Sequence, residues 1–238
     1  MRLTYFVATF VLGFVFGLLA TFKSRDESPD ESVPLGALAN QTGESFPFAS
    51  VIEETTGQKT IPLNPDLPPH LLLQNTLLET ARQISQSLSS ENSPAREKKR
   101  INEVSALFEE ALLTRLDHLP DFSCRIPLTA EGKAQRSGYP DLRVEHLPSG
   151  TVAYLDPKLF AEKSRSSTLR TFYFEPAGKT SKVTENALHL LLGFPHDSNT
   201  GEWTFAPAEL VDLAELEVTL KAEFSASNKE LYQAGSED

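Results

Sequence analysis

YPDLRVEHLPSGTVAYLDPKLF, residues 139–160, is the stretch on which the reading of the fold turns. Leu142, Val144 and His146 alternate with Arg143 and Glu145, and a second extended run, TVAYLDPKLF, follows. Between them Pro148-Ser149-Gly150 supplies turn residues, so the stretch predicts two strands joined as a hairpin. Asp141 opens the first strand, and Asp156-Pro157-Lys158 stands near the end of the second. Side chains alternate across a strand, which puts Asp156 and Lys158 on one face, and hairpin pairing brings Asp141 beside them. Pro157 cannot donate to a ladder, so it predicts a strand edge or terminus here.

Upstream the period changes to that of helices. Pro68 and Pro69 precede HLLLQNTLLETARQISQSLSS, where Leu72, Leu73, Leu77, Leu78, Ile84 and Leu88 recur at helical spacing and proline suits a first turn. After Ser93-Pro94, the run AREKKRINEVSALFEEALLTRLDHL places Ile101, Val104, Phe108, Leu112 and Leu116 on one face. The basic cluster Arg96, Lys98, Lys99 and Arg100 leads into it. Downstream, TFYFEP reads as extended, SKVTENALHLLLGF as a short helix with a strand, and WTFAPAELVDL as an edge strand broken by proline. LEVTLKAEFSASNKELY is strand or helix. The expected body, residues 68–238, is α+β or α/β: a mixed sheet flanked by helices.

Residues 23–67 are rich in Ser, Pro, Asp and Glu and bury too little to repay their ordering entropy, so a flexible acidic linker is expected, with a short strand in SFPFASVI as the alternative. Before it, LTYFVATFVLGFVFGLLATF (residues 3–22) carries no charge and is long enough to span a bilayer. Residues 1–22 are thus expected as a transmembrane anchor, favoured over a cleaved signal peptide because Leu18 stands where a cleavage site needs a small residue. Basic residues flank both ends, so sidedness stays open, with an extracytoplasmic domain favoured. Twenty-two Lys and Arg against 33 Asp and Glu give a net charge of −11, which argues against a protein that coats nucleic acid non-specifically. The single cysteine, Cys124, excludes an internal disulfide framework and a cysteine zinc site.

Two carboxylates and an ammonium converging on a strand form a metal-nuclease pattern. Mg²⁺, or Mn²⁺, prefers carboxylate oxygens and keeps several waters, one of which can attack a phosphodiester in line. Asp141 and Asp156 are the expected metal ligands, and Lys158 the group that orients the water or stabilises developing charge. Asp121 with Glu131 and Lys133 is a rival set, but Glu131-Gly132-Lys133 reads as loop. Arg165, Arg170, Lys179 and Lys182 are expected to track a DNA backbone alongside Tyr173, with a solvated charged loop as the alternative. His146, His189 and His196 lack metal-ligand spacing.

Pro140-Asp141, Asp156 and Lys158 together resemble the PD-(D/E)XK superfamily, the fold of many type II restriction endonucleases, over roughly residues 96–212. The resemblance implies a restriction-endonuclease-like sheet, Mg²⁺-dependent hydrolysis of double-stranded DNA, and a homodimer, since palindrome-cutting relatives usually dimerise. Members commonly carry a further acid on the helix before the sheet; Glu109, bordering the apolar face beside Phe108 and Leu112, is the matching residue. A different class of function, a non-catalytic membrane-anchored envelope protein that binds another protein or the cell wall, is the alternative that the anchor, linker and charge favour.

Overall fold

The computed structural model describes residues 42–167, 174, 178–199, 202–221 and 226–233. These fall in one compact unit, Gln41–Asp238. The chain runs β1 (Ser45–Pro47), α1 (Phe48–Thr56), β2 (Thr60–Ile61), α2 (Pro68–Ser89), a 3-10 turn (Pro94–Glu97), α3 (Ile101–Asp117), β3 (Phe122–Arg125), β4 (Leu142–His146) and β5 (Thr151–Ala161). A second 3-10 turn (Glu162–Ser164), β6 (Ala187–Asn199), β7 (Glu202–Phe205), β8 (Glu209–Asp212), β9 (Glu217–Thr219) and α4 (Asn228–Gln233) complete the described elements.

The helices form where the apolar spacing puts them. Pro68 and Pro69 occupy the first turn of α2, where their missing N–H groups cost no helical hydrogen bond. Leu73, Leu77, Ala81, Ile84 and Leu88 are buried, whereas Leu72 is exposed. The carboxylate of Glu103 accepts from the backbone N–H groups of Lys99 and Arg100, both at 3.2 Å, so α3 starts at Ile101 and the preceding basic cluster stays outside it. Val104, Phe108, Leu112 and Leu116 line its buried face.

Seven strands form a mixed sheet with the path β2-β6-β5-β4-β3, and β7 and β8 also pair with β6. The predicted hairpin is present: β4 and β5 are antiparallel from Leu142↔Leu155 to His146↔Thr151. β6 lies parallel to β5 over nine rungs, Ala153↔Leu188 to Ala161↔His196, and is paired on both edges, which suits its continuous apolar run Leu190-Leu191-Leu192. Its other edge is taken in turn by β2, β8 and β7. α2 and α3 share one core with Leu155, Leu159, Leu190, Leu192 and Phe194. Phe48 and Ile52 of α1 share a second core with Tyr139, Val152, Tyr154, Val183 and Ala187. Strand alternation assigns these to opposite faces of the sheet: Leu155 and Leu159 point one way, Val152 and Tyr154 the other.

Several expectations change. Residues 45–61 lie within the stretch expected as flexible linker, yet they supply two strands and α1, whose Phe48 and Ile52 are fully buried. Their burial depends on partners far along the chain, from Tyr139 onward, which composition does not register. SKVTENALHLLLGF holds no helix among the described residues; its second half opens the long strand β6. WTFAPAELVDL becomes β7 and β8, separated at Ala206-Pro207-Ala208. Pro157 sits inside β5, opposite Leu192, but past the last rung shared with β4, so its missing donor falls where β5 has one neighbour. The anchored architecture is corrected as well: no helix among the described residues is long and apolar enough to cross a membrane. The fold described is mixed α+β without such a helix, and the expected segment, residues 1–22, lies outside the described residues.

Candidate active site

Asp141 immediately precedes β4. Continuing the β4–β5 register by one position sets it opposite Asp156, and Lys158 follows two residues later on the same face of β5. Lys158 Nζ stands 2.8 Å from Asp156 Oδ2 and 3.6 Å from Asp141 Oδ2. The three side chains differ in exposure: Asp156 is buried at 3%, Asp141 is 20% exposed and Lys158 35%. An ammonium thus bridges the two acids at a surface from which solvent reaches Lys158 more freely than Asp156.

The aromatic core beneath this face explains its electrostatics. Tyr139 and Tyr154 are buried, and the Tyr139 hydroxyl is 2.7 Å from His189 Nδ1. Phe48 meets the rings of Tyr139 and His189 edge-on, at 5.6 and 5.7 Å. Desolvation pushes the Asp156 carboxyl up to about 7, against the pull of Lys158; the charge on Asp141 pushes it the same way. Burial moves the His189 imidazole down to about 4, so it is neutral. Among the described residues Asp156 Oδ2 receives no well-directed hydrogen bond, although Lys158 lies close. A buried carboxylate oxygen so placed suits a ligand that needs no proton from it, such as a cation.

Two further charged groups belong to this cluster. Glu109, half-buried on α3, accepts from Ser105 Oγ at 3.3 Å. Desolvation first, and the charge of Asp141 next, hold its carboxyl above the usual range, while Lys158 and Arg136 act oppositely. Lys182, which the sequence suggests for tracking a DNA backbone or for a solvated loop, is 1% exposed. Desolvation lowers its ammonium, against the attraction of Asp141, Asp156 and Glu109. No sequence signal marks this position: a Ser-Lys-Val triplet in a loop gives no hint of burial.

The remaining candidates do not join the cluster in the same way. Arg165 is held by Glu162 and Glu209, its Nη2–Glu209 Oε1 distance being 2.6 Å, and lies over the Phe160 ring. Lys179 is exposed on the loop before β6, and Arg170 and Tyr173 lie outside the described residues. Of the rival set, Glu131 and Lys133 form an exposed ion pair at 2.7 Å on the loop between β3 and β4. His146 is tied to Ser149 Oγ at 2.7 Å in the hairpin turn.

Residues 41–235 match a family model described as the type II restriction enzyme MjaV family. The type II restriction enzyme MjaV of Methanocaldococcus jannaschii is 29% identical over 201 residues, covering 80% of this chain and 86% of its own length. No solved structure is matched. Both similarities favour a restriction enzyme over the membrane-anchored envelope protein. They also run against a single-pass anchored, extracytoplasmic placement, and no helix among the described residues is long and apolar enough to cross a membrane.

Proposed function

The chain belongs to the type II restriction enzyme MjaV family, and from that premise we propose that Asp141, Asp156 and Lys158 are the hydrolytic centre of a Mg²⁺-dependent endonuclease acting on double-stranded DNA. The observation that carries this reading is the convergence of two carboxylates on one ammonium, one of them with a buried oxygen that lacks a directed donor.

The donor set fits a hard, hydrated cation. Among the described residues no group of three or more His, Cys, Asp or Glu side chains is arranged to hold a metal. That disfavours a fully protein-ligated transition metal but suits Mg²⁺, which is held by one or two carboxylates and keeps its waters. Asp141 and Asp156 would hold it; Mn²⁺ fits the same oxygens. When bound, the cation acidifies water and neutralises phosphate charge. Lys158, tethered by both acids yet a third exposed, would place its ammonium where negative charge develops on the phosphorus-bound oxygens. Glu109, whose carboxyl is raised by desolvation and by Asp141 and is held by Ser105, would take a proton from the attacking water. Exposed Lys179 is suited to a backbone phosphate, as is Arg165 if DNA displaces one of its carboxylate partners. A homodimer would present two such centres to the two strands of a palindrome.

Incubating the purified protein with supercoiled plasmid and Mg²⁺ or Mn²⁺ tests the reading. Discrete linear fragments are expected, and Asp141→Asn and Asp156→Asn should each abolish them while the fold survives. Wild-type protein that leaves plasmid intact with either metal, or acid variants that cut as well as wild type, would overturn it.

A further inference from the structure

Lys182 is a lysine with no surface to reach. It is among the largest fully buried side chains, and among the described residues its Nζ finds no hydrogen-bond partner. The backbone around it is fixed: the Ser181 carbonyl accepts from Ala130 N at 2.8 Å, Val183 is in the second core, and Thr184 N donates to the Tyr154 hydroxyl at 2.9 Å. Tyr154 lies on the face of β5 that carries Asp156 and Lys158, so residues 181–184 are strapped against that face. An unpaired buried ammonium is costly, so a partner absent from the free protein is expected there.

The charges around Lys182 indicate what that partner is. Asp141, Asp156 and Glu109 attract it and Lys158 repels it, which makes a cluster of three carboxylates and two ammoniums. Arg136, which also acts on Glu109, is exposed and screened by solvent, and the formal charge of these five groups is one negative. A divalent cation turns that into one positive, and a single phosphodiester then restores neutrality. Without Lys182 the cation-loaded cluster would be neutral, and an entering phosphate would carry uncompensated charge into a desolvated site.

Resting on the nuclease reading above, we propose that Lys182 is a positioning lysine for that centre, whose buried ammonium sets the charge of the metal-loaded site and makes it receptive to the scissile phosphate. Its two effects have opposite signs. The ammonium opposes cation binding in the free enzyme and favours phosphate in the loaded one. A lysine that merely neutralised the acids for folding would not separate these effects.

The test compares wild type with Lys182→Met and Lys182→Gln. Calorimetric titration with Mn²⁺ alone, without DNA, should show both variants binding at least about threefold more tightly, because a like charge has gone. Single-turnover cleavage of saturating plasmid in Mg²⁺ should be at least about tenfold slower in both. Variants that cut as fast as wild type overturn the proposal, as does Mn²⁺ binding that is unchanged or weaker. Loss of the thermal unfolding transition in both variants also overturns it, by making Lys182 a structural counter-ion. If the nuclease reading itself is wrong, wild type neither cuts plasmid nor binds Mn²⁺ in a way Asp141→Asn removes. Failure of this inference alone leaves wild type active.

Discussion

At Lys158 two demands meet in one side chain: it pairs with Asp156 at 2.8 Å and still keeps a third of its surface in solvent. Asp156 is buried, so Lys158→Ala leaves a carboxylate without its ammonium and should lower the denaturation midpoint, more so above pH 7 than below it. Its larger effect should fall on chemistry: single-turnover cleavage by folded protein at saturating DNA is expected to drop at least about tenfold, or 1.36 kcal/mol of transition-state stabilisation. Arg165→Ala, which removes a guanidinium already shared by Glu162 and Glu209, should leave that rate nearly intact. A Lys158→Ala enzyme as fast as wild type would move the site elsewhere. Two buried residues also set a pH dependence of stability in metal-free protein. His189 has its folded pKa lowered to about 4, so the unfolded chain binds its proton first. Its contribution is complete above about 6.5 and is lost as pH falls toward 4. Asp156, raised to about 7, works the other way: its contribution is present below the ordinary carboxyl range and lost as pH rises through 7. Denaturant midpoints across pH 4–8 should therefore show Asp156→Asn gaining on wild type as pH rises. A fixed difference between the two proteins would refute the raised carboxyl.

The short helix α1 carries more than its nine residues suggest. Phe48 packs edge-on to Tyr139, Phe174 and His189 at 5.5–5.7 Å, closing the core that desolvates Asp156. Phe48→Ala should cost about 3–5 kcal/mol in urea unfolding, the usual price of a large cavity in a core. A residue on a flexible tether would cost nothing measurable, so a change below about 0.5 kcal/mol would detach α1 from the domain. The β4–β5 hairpin and β6 do the positioning: the antiparallel register sets Asp141 across from Asp156, and the parallel pairing with β6 holds β5 where β4 has ended.

Over the whole molecule, the domain begins well before Pro68. Leu63 N donates to Asp212 Oδ2 at 2.7 Å, β1 pairs with β9, and β2 pairs with β6. A fragment of residues 42–238 is expected to unfold in one cooperative transition, whereas residues 68–238 should show a broadened, lower transition or none. Equal midpoints by circular dichroism would place the boundary at Pro68 after all. The helices over Pro68–Ser89 and Ile101–Asp117, the hairpin, and the meeting of Asp141, Asp156 and Lys158 on one face were legible in the order of the amino acids. Each of these is written in short-range signals: apolar residues at helical spacing, a turn between alternating runs, acids and a lysine two apart on a strand. Long-range packing is what draws residues 45–61 into the domain, makes ALHLLLGF part of one central strand, and buries Lys182. Those outcomes depend on partners far away in the chain, and burial by distant residues leaves no local periodicity to read.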